Sequence, residues 1–242
     1  MDYVFQFGLV FQHLDTLLAG LQITIIVGVS AGLLGLIIGW ILALQRLSGN
    51  RAVRFASGAY VEFWRNTPLI IQLFFVYFGI TALTGFSFSA IEAGLITIVL
   101  NTTAYYAEIL RGGVKSIPQE QFDAARSIGL TYLKILRLIV VPWTMKTVFP
   151  SLVNQFILTI LGTSVLSIIA VPDLMHEAKG LQAITGRTIE FYLVTAVIYI
   201  MAILSISVVL RFIESRFFTM PEVRLANKKS KVVWATFRIF SQ

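Results

Sequence analysis

Long stretches without any formally charged residue constrain this chain more than any other feature. A bilayer-spanning α-helix needs roughly 20 apolar residues, and four uncharged stretches meet that length: 16–45, 66–91, 147–172 and 191–210. A fifth, 93–107, reaches it only when a flanking glutamate stands at its end. Because backbone polar groups cannot remain unpaired in lipid, these segments are expected to be helices. The sequence therefore predicts an all-α, polytopic membrane protein with five transmembrane helices, at about 17–44, 60–82, 88–110, 147–169 and 191–212.

Composition and the placement of cationic residues support this class and predict an orientation. The chain is 57% hydrophobic and 13% charged, whereas soluble domains carry about a quarter charged residues. With the N-terminus outside, 17 of the 19 Lys and Arg residues lie on the inner side, in 45–65, 111–146 and 211–242. That asymmetry predicts an N-out, C-in topology, and it explains the net charge of +7 without nucleic acid as a partner. The start MDYVFQF lacks a basic leader, so we expect no removable signal peptide. A bacterial inner membrane is the simplest location for such a chain.

Several chemical functions lack the residues that they require. The chain has no cysteine, which excludes disulfides and thiolate metal sites. The segment RGGVKS does not have the glycine spacing of a phosphate-binding loop, and neither His13 nor His176 belongs to a cluster with metal-ligand spacing. No Ser-His-Asp set can be assembled on one side of the membrane. We therefore predict no catalytic residue, no metal ligand and no cofactor in this chain.

An amphipathic segment follows the third predicted transmembrane helix. If 119–133 is helical, one side carries Phe122, Ala125, Gly129, Tyr132 and Leu133. Such a helix either lies flat on the inner leaflet or binds in a groove of a cytoplasmic partner. The small residues Ala124, Ala125 and Gly129 favour the second alternative, because they let another surface come close.

The same segment resembles a family motif. Asp123-Ala124-Ala125, followed after three residues by Gly129 and after nine more by Ile139-Val140-Val141-Pro142, is similar to the EAA loop of ABC-importer permeases. That loop usually has Glu at the first position and Leu before the proline. The segments EFWRNTPLIIQLFFVYFGI, YYAEILRGGVKSIPQEQFDAARSIGL and VNQFILTILGTSVLSIIAVPDL resemble polar amino-acid permeases in the same order. The resemblance covers roughly residues 10–217.

The resemblance implies a type I ABC-importer permease architecture with a cytoplasmic coupling helix within 119–142. The coupling residues would be Asp123, Ala124, Ala125, Arg126, Gly129 and Pro142. The implied partners are a cytoplasmic ATP-binding subunit that carries ATP and Mg, a second permease subunit, identical or paralogous, and a periplasmic or lipid-anchored substrate-binding protein. The outer loop 171–192 would face that binding protein, or it is a plain solvated loop. A polar amino acid would be the substrate.

Polar residues inside the predicted spans are candidates for the substrate pathway, since such side chains usually face a cavity or a partner helix. These candidates are Arg65, Gln72, Asn101, Asn154, Gln155, Thr163 and Ser164. Pro68 is expected to kink the second helix. In the alternative interpretation, Arg65 extends to the inner surface of the membrane and pairs with Glu62, and the Thr163 and Ser164 hydroxyls hold neighbouring helices together.

Two further features bear on domains and substrate. We predict a permease domain over 1–217 and a basic cytoplasmic tail over 218–242, which either lies on the membrane surface or is disordered. Relatives often have Lys and an acid or amide where this chain has Leu161 and Gly162, which favours acidic or neutral polar amino acids as substrates. The alternative function is a gradient-driven secondary transporter or channel subunit, which requires an intramembrane acid relay. A membrane enzyme ranks third.

Overall fold

The computed structural model describes residues 3–218, in which nearly all of the chain is helical. The described helices are α1 Phe7–Gln12, α2 Leu14–Arg46, α3 Arg51–Asn66, α4 Leu69–Thr84, α5 Ala90–Lys115, α6 Gln119–Ser127, α7 Tyr132–Ile169, α8 Leu174–Thr185 and α9 Thr188–Phe217. Helices α2, α5, α7 and α9 are long and apolar enough to cross a membrane, and α3 with α4 forms a fifth candidate span bent by 109°. The predicted all-α class is confirmed. From residue 219 onward, the predicted tail lies outside the described residues.

Local signals explain where several helices begin. The Asn50 side-chain oxygen accepts the backbone N–H of Ala52 at 2.9 Å at the start of α3. At the start of α5, Ser89 and Glu92 exchange side-chain-to-backbone hydrogen bonds in a capping box. Asp173 accepts the backbone N–H of His176 at 2.9 Å and starts α8. Such caps satisfy donors that the first helical turn leaves free.

Contacts along α2 establish the directions of the helices. At the C-terminal end of α2, Arg46 binds Glu108 near the C-terminal end of α5 at 2.6 Å, so α2 and α5 run parallel. Helix α7 runs the other way, because Gly28 of α2 lies against Ile160 whereas Gly32, one turn later, lies against Phe156. Since α2 and α5 run in the same direction, the chain between them must return across the same thickness. The α3–α4 pair is therefore one broken span rather than a re-entrant loop.

The span predicted over 60–82, with a kink expected at Pro68, is divided between two helices. Helix α3 begins at Arg51 and ends at Asn66, and the next two residues are extended, with φ −112° and ψ 143° at Thr67 and φ −63° and ψ 136° at Pro68. Proline has no N–H and pushes the preceding residue out of the helical region. The expected kink at Pro68 is therefore present, as a complete break.

The predicted start of the fourth span at 147 is also too late. Helix α7 begins at Tyr132 and covers 38 residues, and it passes through a π-helical turn at Leu136–Val140 just before Pro142. A wider turn before a proline supplies the room that its ring needs. The last turns, Thr163–Ile169, are 3₁₀-helical. Because 132–146 continues the membrane helix, it does not belong to the amphipathic segment.

Helix α2 lies at the centre of the packing and approaches its neighbours through glycines. A Cβ added at Gly39 would lie 2.8 Å from the Cβ of Tyr106 in α5, and one added at Gly32 would lie 2.5 Å from the Phe156 ring in α7. Small residues permit such close helix contacts in membranes, where packing rather than the hydrophobic effect drives association. This packing fixes α5 and α7, which carry the candidate sites described next.

Candidate functional site

The first candidate site is the short helix α6, which follows α5 after three residues. Asp123, Ala124 and Arg126 are exposed on it. The Asp123 carboxylate accepts a hydrogen bond from the Gln119 side-chain amide at 3.2 Å and lies 3.7 Å from the Arg126 guanidinium. Both contacts are solvent-exposed and therefore weak, so these charges remain available to a partner.

Ala125 faces the opposite direction from the exposed residues of α6. It is 2% exposed and packs in a cluster with Ile117, Ile135 and Val140. The small Ala125 side chain is expected from the sequence to let a partner surface come close, but it lies inside the chain. Its small size instead allows α6 to pack closely on the first turns of α7.

Gly129 ends α6 in a Schellman motif. The Gly129 N–H donates to the Arg126 carbonyl at 2.9 Å, and the Leu130 N–H donates to the Ala125 carbonyl at 3.1 Å. Gly129 has φ +72°, and a Cβ placed there would meet nothing within 4 Å. The glycine is thus needed for its backbone conformation and not for close approach. The continuous helix expected over 119–133 ends at Ser127 for this reason.

Beyond Gly129, large apolar side chains stand out from the chain. Ile128 is 75% exposed, Tyr132 74% and Leu133 70%. With Asp123, Ala124 and Arg126 they form what we name the coupling surface, an exposed patch with both charged and apolar members. Exposed apolar patches with a polar rim mark protein or membrane contacts. Pro142 lies outside this surface, ten residues into α7.

The second candidate site is the break between α3 and α4. The Gln72 side-chain amide donates to the Trp64 carbonyl at 2.9 Å and to the Thr67 carbonyl at 3.1 Å. The Asn101 amide of α5 donates to the Gln72 side-chain oxygen at 2.9 Å and to the same Trp64 carbonyl at 3.1 Å. Gln72 is only 3% exposed. The two predicted pathway amides therefore come together, and they bind the end of a helix.

Arg65 lies beside this break, and the pairing with Glu62 that one interpretation expected is not among the ion pairs of the described residues. Its guanidinium carbon lies 5.5 Å from the centre of the Tyr105 ring, within the range of a cation–π contact. The Glu62 carboxylate lies 3.8 Å from Arg46 instead. Among the described residues Arg65 forms no salt bridge, and the Glu108 carboxylate interacts with it only at longer range.

A charged cluster beside the break joins α2, α3 and α5, because Arg46 of α2 lies 3.8 Å from Glu62 of α3 and also binds Glu108 of α5. Glu108 binds Arg46 at 2.6 Å and also forms a two-pronged pair with Arg111. Sequence spacing indicates the nearby Arg111 as a partner of Glu108 but not the distant Arg46. Both Arg46 and Glu108 stand at the predicted inner ends of spans, a signal that could have identified the pair.

The predicted pathway residues of α7 have different environments. Thr163 is fully buried and donates to the Ile160 carbonyl at 2.7 Å, and the half-buried Ser164 hydroxyl donates to the Leu161 carbonyl at 2.8 Å. Gln155 is half-buried. Asn154 is exposed in a cavity of about 240 Å³ that also touches Ser207, Arg211 and Glu214. No hydrogen bond among the described residues joins this group to Gln72 or Asn101.

The segment predicted as an outer loop, 171–192, contains helix α8 and one buried acid at each end. Glu190 is fully buried and accepts hydrogen bonds from the Tyr3 hydroxyl at 2.5 Å and the Gln6 backbone at 3.0 Å. Asp173 is fully buried, and one of its oxygens has no partner among the described residues. Burial raises the pKa of Asp173 from 3.8 to about 6. The long connection is therefore an ordered element.

Comparison with known proteins places these features in a family. Residues 35–219 match the family described as binding-protein-dependent transport system inner membrane component. The chain is 34% identical over 211 residues to the probable amino-acid ABC transporter permease protein YckA of Bacillus subtilis, covering 86% of this chain and 91% of YckA. It is 30% identical over 210 residues to the arginine transport system permease protein ArtQ of the same organism, covering 87% and 96%.

A solved structure supports the same assignment at the level of the fold. The crystal structure of an amino acid ABC transporter with histidines has a chain that is 30% identical and superimposes with a TM-score of 0.81, covering 88% of this chain and all of that one. The predicted importer-permease architecture is thereby confirmed. The chain belongs to the family of binding-protein-dependent transport system inner membrane components.

Proposed function

We propose that this chain is the membrane-spanning subunit of an ATP-driven importer that carries polar amino acids across the bacterial inner membrane. The observation that carries the proposal is the coupling surface, which stands at the end of α5 and is held there by buried Ala125 and by the Gly129 turn. Its exposed Ile128, Tyr132 and Leu133 suit a groove on a protein partner. The names of the relatives support amino acids as the substrate class.

The partners follow from the family. The chain would bind a cytoplasmic ATP-binding subunit, which carries ATP and Mg, and a second permease subunit that is identical or paralogous. A periplasmic or lipid-anchored binding protein would deliver substrate at the α8 side. The concentration of Lys and Arg on the side of α6 supports an orientation with the N-terminus outside and the C-terminus in the cytoplasm. Residues 1–217 would form the permease domain, and 218–242 a basic tail.

The substrate pathway would pass beside the α3–α4 break. Arg65 offers a cation that forms no salt bridge in the described part of the chain and lies over the Tyr105 ring, and it suits the carboxylate of an amino acid. Asn154, Gln155 and Ser164 would line the pathway from α7, whereas Gln72, Asn101 and Thr163 would shape it through backbone contacts. Acidic or neutral polar amino acids remain the favoured cargo, because Gly162 leaves no acid at that position.

The test is purification of the complete complex from its native membrane with a tag on this chain, with every associated protein identified by mass spectrometry. We expect an ATPase with its own phosphate-binding loop. Leu133→Glu on the coupling surface should abolish that association. Ile184→Glu is the matched control, because Ile184 is 84% exposed on α8 at the other end of the bundle. Recovery of the unchanged chain without any ATPase, with uptake that follows the proton gradient, would establish the secondary-transporter alternative.

A further inference from the structure

The break between α3 and α4 removes a hydrogen bond that a continuous helix would make. In such a helix the N–H of residue 68 would donate to the Trp64 carbonyl, but Pro68 has no N–H. The side-chain amides of Gln72 and Asn101 both donate to that carbonyl, at 2.9 and 3.1 Å. These two side chains therefore replace the missing backbone donor. One comes from the next turn of the broken span and the other from α5.

The remaining polar groups of the break are bonded in the same way. The Thr67 hydroxyl donates to the Phe63 carbonyl at 2.8 Å, and the Gln72 amide also reaches that hydroxyl at 2.6 Å. Gln72 thus donates to three acceptors while its own oxygen accepts from Asn101. With 3% of its surface exposed, Gln72 has no donor left for a substrate. Gln72 of α4 thus holds Trp64 and Thr67 at the end of α3, and we call it the clamp.

Asn101 connects this clamp to the coupling surface through a single rigid element. Helix α5 is continuous from Ala90 to Lys115, so Asn101 and the end of α5 are joined by about 20 Å of uninterrupted helix. Three residues later α6 begins. Near the same end, Glu108 of α5 holds Arg46 at 2.6 Å. If α6 shifts or rotates together with α5, the Asn101 amide would therefore transmit that movement to the bend.

We propose that Gln72 and Asn101 are positioning residues that hold the bend at Pro68 and make it move together with α5. This inference rests on the proposed function, because the motion is that of an ATP-driven importer. Neither side chain needs to touch the substrate. Each deletion leaves the Trp64 carbonyl one donor, but it removes the Gln72 donor from the Thr67 carbonyl or the Asn101 donor from the Gln72 side-chain oxygen. Loss of such a partner shifts a local equilibrium by roughly 5- to 150-fold, so either deletion should populate a second arrangement of the bend.

The test measures the bend directly in the complete complex in lipid nanodiscs. Because the chain has no cysteine, Phe55→Cys and Leu83→Cys give two clean spin-label sites, at positions 78% and 76% exposed on the two sides of the break. We expect Gln72→Leu and Asn101→Leu to broaden the distance distribution. Thr97→Val is the matched control, since the buried Thr97 hydroxyl bonds only Ala93 of its own helix, at 2.7 Å.

Two additional measurements separate positioning from a general loss of stability. Adding ATP should shift the label distance in the unchanged chain, and Asn101→Leu should abolish that shift while the ATPase remains bound. Pro68→Ala in the Gln72→Leu background restores the N–H that a continuous helix would donate to the Trp64 carbonyl, so the distribution should narrow around a longer label distance. Unchanged distributions in both leucine variants, or a double variant as broad as Gln72→Leu, would overturn the proposal. Absence of the ATPase from the unchanged complex would instead refute the proposed function.

Discussion

Gly129→Ala is the sharpest test of how α6 presents the coupling surface. The backbone at Gly129 has φ +72°, and nothing lies within 4 Å of the position that a Cβ would take. The substitution therefore adds no collision, and its whole effect is the cost of placing an L-residue in the left-handed region. That cost is about 1–2 kcal/mol, which corresponds to a 5- to 30-fold increase in the population with an open turn.

The opening should be visible at one backbone amide. The Leu130 N–H donates to the Ala125 carbonyl at 3.1 Å only while the turn is closed. Hydrogen exchange of peptides covering 119–131, measured by mass spectrometry on the complex, should therefore accelerate about 5- to 30-fold in Gly129→Ala. We expect the affinity for the ATPase to fall in the same variant, because the bound arrangement is less populated.

Two other substitutions control for side-chain size and for glycine replacement as such. Gly112→Ala adds the same methyl group in open space within α5, where alanine favours the helix, so we expect no acceleration. Gly129→Asn should be milder than Gly129→Ala, because asparagine tolerates positive φ better. Equal exchange in Gly129→Ala and the unchanged chain would refute the argument that the turn conformation is what requires this glycine.

Three further changes should alter the thermal unfolding of the purified complex. Glu108→Gln leaves two partly buried arginines without their carboxylate and should lower the free energy of unfolding by about 1–3 kcal/mol. Glu62→Gln should lower it by less than about 1 kcal/mol, because its ion pair is 3.8 Å apart and more exposed. Equal losses in the two variants would contradict this reasoning. Because burial raises the pKa of Asp173 from 3.8 to about 6, the folded state holds that proton more tightly, so stability should fall by up to about 3 kcal/mol as the pH rises through this interval. Asp173→Asn should remove this fall, and parallel pH profiles of the two proteins would disprove the assignment. Gly39→Ala places the new methyl group 2.8 Å from Tyr106 and should lower the melting temperature by several degrees. Gly58→Ala adds a methyl group in open space and should not lower it. An unchanged melting temperature in Gly39→Ala would refute the close packing of α2.

Residue patterns were sufficient to predict the class of the protein and its family. The uncharged stretches reflect the thickness of the hydrocarbon, which any spanning helix must match. The order Asp123-Ala124-Ala125, Gly129 and Pro142 pointed to the importer permeases, and the family match over 35–219 confirms that resemblance. Such signals are local and depend on few residues, so they can be recognised without knowing which helices touch.

The spans predicted at 60–82 and 147–169 show where local sequence patterns stop being informative. Pro68 predicted a kink, but the extent of the kink depends on whether the free Trp64 carbonyl finds other donors, and these come from eight and 37 residues away. The start of α7 at Tyr132 was missed because charged residues normally end a membrane span, whereas here the helix continues beyond it. Helical periodicity continued through Gly129, so only the backbone conformation revealed the turn.

The sequence by itself determined that this chain spans a bilayer, how its cationic residues are distributed between the two sides, and which segment carries the family motif, because each depends on composition and spacing alone. Only the tertiary structure decided what individual polar side chains do. Asn101 and Gln72 are 29 residues apart and meet at a helix end, and Ala125 faces inward although its neighbour Ala124 faces out. The physical reason is that a buried amide must satisfy its hydrogen bonds with whatever lies beside it, and the packing of distant helices determines which groups those are.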